Sequence, residues 1–183
     1  SLSRAAWEGE PEEIRVRLLQ RLLATFGGAA KPAQLSQIEA IVSTLARGKP
    51  VAHTLGGCIV SQGRTTLRLY REPAHHTLPQ VPLQPGEEVV WDWRFRVKYD
   101  DARGVDVGDA TADGVVVRPL GFAAYATLRG ALAPQDRPPA RAAAGLPALW
   151  SGERLVAVPS LRGATPYDDR FSAVFLGLTR EAR

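Results

Sequence analysis

The hydrophobic period of the chain changes at Pro50, and that change bounds the folds open to it. Up to residue 47, apolar side chains recur at helical spacing. In residues 10–26, EPEEIRVRLLQRLLATF, Ile14, Leu18, Leu19, Leu22, Leu23 and Phe26 share one face. Pro11 suits a first helical turn, where its missing N–H costs nothing, and Gly27-Gly28 ends the run. Glu10, Glu12 and Glu13 complement the positive end of the helix dipole, and Glu13 with Arg17 forms an i,i+4 pair. Residues 32–47, PAQLSQIEAIVSTLAR, put Leu35, Ile38, Ile41, Val42 and Leu45 on a second face, and Gly48 stops it. A short Gly/Ala link makes the two an antiparallel pair, whose core is too small to stand alone. Residues 1–9 show no strand or helix start.

After Pro50 the period is two. Residues 51–60 and 65–71 read as strands joined by Ser61-Gln62-Gly63-Arg64. In the second arm Thr66, Arg68 and Tyr70 face one way, and Thr65, Leu67, Leu69 and Arg71 the other. Residues 73–86, with four prolines, read as an irregular loop. Residues 88–99, EVVWDWRFRVKY, read as one strand. Its wet face holds Val90, Asp92, Arg94, Arg96 and Lys98; its buried face holds Val89, Trp91, Trp93, Phe95, Val97 and Tyr99. An acidic Gly/Asp loop over 100–114 follows, then a strand at Val115-Val116-Val117 and a helix over 120–132. A Pro/Arg link leads on to strands at 153–159 and 171–177. The expected class is α+β: a helical pair over 1–50, β-rich hairpins over 51–117 and a small C-terminal α+β module over 118–183.

Hydrophobic residues are 45% and charged residues 23% of the 183, which favours a folded chain over a disordered one. With 23 Lys and Arg against 19 Asp and Glu, the net charge is +4, compatible with a polyanion partner. A single cysteine, Cys58, excludes an internal disulfide framework. No apolar run approaches the ~20 residues of a membrane-spanning helix, and no signal-peptide pattern is present, so the expectation is a cytoplasmic protein with no membrane partner. The chain has no Met and begins Ser1-Leu2-Ser3, and so reads as a piece of a longer protein. Nothing in the pattern sets an oligomeric state.

Residues 53–72, HTLGGCIVSQGRTTLRLYRE, invite a ligand. A phosphate-binding P-loop needs a Lys after its last glycine, and Cys58 follows Gly56-Gly57 instead. A dinucleotide turn needs G-x-G-x-x-G ahead of a helix, whereas this pair precedes a strand. The pair reads as a bulge or a close backbone approach. His53, Cys58, His75 and His76 lack the paired spacing of structural zinc, and Cys58 reads as a core residue. Asp100, Asp101, Asp106, Asp109 and Asp113 miss the calcium-loop spacing and read as turn formers and caps. Neither G-x-S-x-G nor H-E-x-x-H occurs, so no catalytic or metal residue is expected. Arginines remain: Arg94 and Arg96 with Lys98, Arg68 and Arg71 on a neighbouring strand, then Arg118, Arg129, Arg137 and Arg141. They either contact phosphates or simply solvate a sheet face.

Three stretches, in this order, resemble the bacterial tRNA(Ile)-lysidine synthetases. The first is His53-Thr54-Leu55-Gly56-Gly57-Cys58 followed by Arg71-Glu72. The second is Trp91-Asp92 with Arg94-Phe95. The third runs from Val117-Arg118-Pro119-Leu120-Gly121 through Pro138-Pro139-Ala140-Arg141 and Leu146-Pro147-Ala148-Leu149-Trp150 to Leu155-Val156-Ala157-Val158-Pro159. The resemblance implies a parent ligase that uses ATP, with Mg2+, to adenylate the wobble cytidine in the CAU anticodon of an isoleucine tRNA, after which lysine displaces AMP. The family's chemistry belongs to an N-terminal domain with an S-G-G-x-D-S loop, a motif this sequence lacks. The chain resembles the rest, a helical middle segment and a C-terminal α+β module that help hold the tRNA body and acceptor stem. The partners so implied are that tRNA and the N-terminal catalytic domain, with no cofactor in this chain. Many relatives carry a G-D-R or lysine-rich stretch after the R-P, whereas Gly121-Phe122-Ala123-Ala124-Tyr125 has no charge. Arg118 and Arg141 occupy the matching motif positions and lead the RNA-contact candidates, ahead of Arg94, Arg96, Lys98 and Arg68. The competing reading of Arg118 and Arg141 is a buried structural arginine.

Overall fold

Both expected N-terminal helices form in the computed structural model, which describes residues 1–27, 32–48, 50–72, 78–100 and 114–177. They are α2 (Glu12–Phe26) and α3 (Leu35–Ala46). Glu12 and Glu13 occupy the first turn of α2, where the helix dipole favours them. A capping box between Gln34 and Gln37 starts α3 and satisfies amides that have no partner within the helix. Gly28 of the expected helix stop, His75 and His76, and Asp101, Asp106, Asp109 and Asp113 lie outside the described residues. Residues 1–9 do form structure, contrary to their silence as sequence. A short strand β1 (Leu2–Ser3) leads into helix α1 (Arg4–Gly9), and Ser3 Oγ accepts from Ala6 N at 3.4 Å as an N-cap. Trp7 anchors α1 in the core, a tertiary contact that no local pattern announces.

The chain divides into two compact units, Ser1–His76 and Thr77–Arg183. The boundaries expected at 50 and 117 differ from this division. Helices and strands before residue 72 share one core, and the expected cut at 117 falls inside a strand. The first unit has an antiparallel sheet in the order β1-β4-β3-β2, with β2 (Val51–Leu55), β3 (Cys58–Gln62) and β4 (Thr66–Arg71). Cys58, Val60, Leu67 and Leu69 lie on one face, against Trp7 of α1, Leu19 and Leu23 of α2, and Ile38, Val42 and Leu45 of α3. Each fully buried aliphatic side chain there contributes about 1.5–3 kcal/mol. Thr54, Ser61, Thr66, Arg68 and Tyr70 share the other face, which solvent reaches.

The second unit has three layers. One sheet, β11-β7-β6, holds β6 (Glu88–Trp91), β7 (Phe95–Tyr99) and β11 (Phe171–Phe175). The other, β10-β9-β8-β5, holds β5 (Val81–Leu83), β8 (Val115–Pro119), β9 (Pro147–Ser151) and β10 (Arg154–Ala157). Trp91, Val97, Val117 and Leu149 pack between the sheets. On the far face of the second sheet, Leu120, Tyr125, Ala148 and Val158 form another core with α4 (Gly121–Leu128) and α5 (Ala140–Ala143). β5 lies in the stretch expected to be an irregular loop. It is an edge strand, a position in a sheet where Pro82, with no N–H to donate, is tolerated. The whole is α+β, as the period change at Pro50 implied.

Candidate nucleic-acid interface

The residues that carry the resemblance are fasteners of the fold. Residues 51–60 are two strands, and Gly56-Gly57 is the turn between them, with Leu55 paired to Cys58. Both glycines have positive φ, 57° and 73°, as a two-residue type I′ turn requires. The turn also approaches the end of α2 so closely that a Cβ on Gly27 would overlap Gly56 O, and one on Gly57 would overlap Gly27 O and Arg71 Nη1. The expected close approach is present, but the expected bulge is a hairpin turn. Arg71, only 5% exposed, donates from Nη1 to Gly57 O at 3.0 Å, and Glu72 N donates to the same carbonyl at 2.8 Å. Cys58 is buried, its thiol 3.9 Å from Leu23 O. Backbone and guanidinium fill the space beside Gly57.

Residues 88–99 are a hairpin rather than a single strand. β6 and β7 join through Asp92-Trp93-Arg94, and Asp92 and Trp93 adopt the left-handed conformation at φ 48° and 57°. Arg94 is therefore not on a wet face beside Arg96 and Lys98. It is 6% exposed, with Nε 2.7 Å from Asp92 Oδ2 and Nη2 donating to Gly145 O at 3.0 Å. Its guanidinium also lies 5.2 Å from the Phe95 ring centroid and 5.9 Å from that of Trp91. Trp93, expected in the core, is 72% exposed at the hairpin tip, because the turn reverses the chain before its side chain reaches the inner face.

Arg118 is a half-buried arginine. It stacks 4.2 Å above the Trp150 ring and reaches the β9–β10 turn, donating to Gly152 O at 3.1 Å and lying 3.3 Å from Glu153 Oε2. Of the remaining candidates, Arg96 and Lys98 share the outer face of β7, with Glu88 at 3.1 Å and Asp100 at 3.8 Å. Arg68 is exposed opposite Ser61 on the outer face of β4. Arg141 is exposed in the last turn of α5. Sequence reasoning passed over Arg4, Arg47 and Arg64, which the first unit gathers at one end. A charge count by unit rather than by chain would have drawn attention to them. Among the described residues no three His, Cys, Asp or Glu side chains converge. No described helix is long and apolar enough to cross a membrane.

No family model matches the chain, and no solved structure matches it. Among curated proteins it is similar to the tRNA(Ile)-lysidine synthase of Rickettsia bellii, 31% identical over 91 residues, which are 50% of this chain and 21% of that protein. The tRNA(Ile)-lysidine synthase of Rickettsia felis is 28% identical over 85 residues, 46% of this chain and 20% of that protein. That of Rickettsia rickettsii is 29% identical over 83 residues, 45% of this chain and 17% of that protein. The matched stretch spans about a fifth of the length of the first two relatives. The resemblance is thereby borne out over half of the chain.

Proposed function

We propose that this chain is a tRNA-handling region of a cytoplasmic tRNA(Ile)-lysidine synthase, outside the part that performs the chemistry. The observation that carries the reading is the similarity of half the chain to enzymes of that name. In the parent enzyme, ATP with Mg2+ activates the wobble cytidine of the CAU anticodon and lysine completes the exchange, in the part bearing the S-G-G-x-D-S loop. The role of this chain is to hold the tRNA while that happens. Exposed cations supply phosphate contacts, which position a nucleic acid without reading its sequence. Arg68, Arg96, Lys98 and Arg141 are open to solvent and suited to this; Arg94 is buried and is not. Filter binding of an isoleucine tRNA to this chain across a salt series tests the reading. Log affinity is expected to fall linearly with log salt. An absence of binding at low salt, or an affinity that ignores salt, overturns it.

One observation favours a second reading, a module that buttresses the catalytic domain without touching RNA. Arg71, Arg94 and Arg118, three of the four arginines in those motifs, hold the fold together, while the fourth, Arg141, is exposed. On that reading, reversing the charge of Arg141 in the whole enzyme leaves tRNA affinity unchanged.

A further inference from the structure

The excess positive charge of the chain is confined to residues 1–76, which hold ten Arg and Lys against six Asp and Glu, while residues 77–183 hold thirteen of each. Within the first unit, the start of α1, the β3–β4 turn and the end of α3 meet at one end of the sheet. Arg4 N donates to Thr65 O at 2.9 Å, and Gln62 Nε2 donates to Leu45 O at 3.0 Å. Arg4 Nη2 lies 3.0 Å from the place a Cβ would take on Gly48. These contacts bring Arg4, Arg47 and Arg64 to that end from three separate parts of the chain. Arg4 and Arg64 line one shallow depression with Glu8, and Glu8 is already paired to Arg4 at 2.7 Å. Around the corner, on the uncovered face of the sheet, Arg68 stands among the hydroxyls of Thr54, Ser61, Thr66 and Tyr70. Arg47, Arg64 and Arg68 are exposed and make no ion pair among the described residues.

We infer that this end and the adjoining sheet face bind the sugar-phosphate backbone of a folded RNA, with Arg47, Arg64 and Arg68 as the phosphate contacts. The inference rests on the reading of the chain as tRNA-handling, and places the contact away from Arg118 and Arg141, where the motif match had put it first. The chemistry of the surface selects this occupant. Guanidinium groups and hydroxyls are the side chains that recur against phosphate and ribose oxygens. A protein partner asks instead for a desolvated apolar centre, and the largest aliphatic group on this face, Ile59, is already half-buried.

Fluorescence anisotropy with two probes, an isoleucine tRNA and an unrelated RNA hairpin, tests the site. Arg64→Glu with Arg68→Glu is expected to weaken tRNA binding at low salt at least about tenfold, and to flatten the salt slope by about two, one for each cation removed. The matched reversal Arg154→Glu with Arg162→Glu, at exposed arginines of the second unit, is expected to cost no more than about twofold, the screened effect of net charge alone. Arg64→Gln with Arg68→Gln, shown to keep the wild-type circular dichroism and melting temperature, separates loss of contact from loss of fold. A first-unit reversal no more costly than the control overturns the site. Equal binding of both RNAs, each dependent on Arg64 and Arg68, upholds the site while the tRNA reading falls. A wild-type chain that binds neither RNA overturns both.

Discussion

In the unit Thr77–Arg183, Arg94 closes over Asp92 and Gly145 O, Arg118 lies on Trp150, Arg137 donates to Leu132 O and Arg170 is buried. In the unit Ser1–His76, Arg71 is the one buried arginine among the described residues, and Arg47, Arg64 and Arg68 stand in solvent. The architectures explain the contrast. The central sheet of the second unit is covered on both faces, so long polar side chains from its strands and turns are caught inside and must find partners there. The sheet of the first unit is covered on one face, so its cations escape to the other face and to its end. A chain-wide charge of +4 thus conceals one unit whose charges balance, with several arginines turned inward, and one that carries the excess and presents most of it outward.

The contrast is most exposed at Arg94. Arg94→Ala strips a buried carboxylate of its guanidinium and is expected to destabilise the second unit by about 3–5 kcal/mol, read from urea unfolding. Replacing both members, Asp92→Asn with Arg94→Met, is expected to cost less than the single change. A loss under about 1 kcal/mol for Arg94→Ala would show that the pair is not what closes the hairpin. Next is Gly57→Ala, which tests whether the first unit is held by backbone contact rather than by ions. The positive φ alone is expected to cost roughly 1–3 kcal/mol, and overlap with Gly27 O and Arg71 adds to it. An unchanged melting temperature would mean that the turn is not fastened to α2. The smallest effect is expected at Arg118, half-exposed over Trp150. Arg118→Ala should cost about 0.5–1 kcal/mol of stability and leave tRNA affinity within about twofold. An affinity loss well beyond that would return Arg118 to the interface and blur the division of labour.

The helices α2 and α3 were legible because a 3.6-residue period over a dozen or more positions has few other readings. The hairpin at 91–95 was hidden by parity. Trp91 and Phe95 are four residues apart, so they fall on the same face whether the strand continues or turns back through three residues. The alternation of EVVWDWRFRVKY therefore runs unbroken across a chain reversal, and neither Asp92 nor Trp93 is the glycine that usually marks a positive φ. At residues 51–60 the glycine pair was visible, and weighing it only as a ligand loop or a bulge obscured the simpler turn between β2 and β3.

Period, caps and the break at Pro50 settle the helices α2 and α3 and that the class is α+β, since those depend on neighbours within a few residues. The fate of each arginine depends on groups far along the chain. Arg94 is buried because Gly145 O, 51 residues on, accepts its hydrogen bond and Asp92 meets its charge. Arg64 joins Arg4 because Thr65 O takes the Arg4 amide. Burial and proximity of that kind are properties of packing, so the tertiary structure alone decided which cations hold the fold and which are left for a partner.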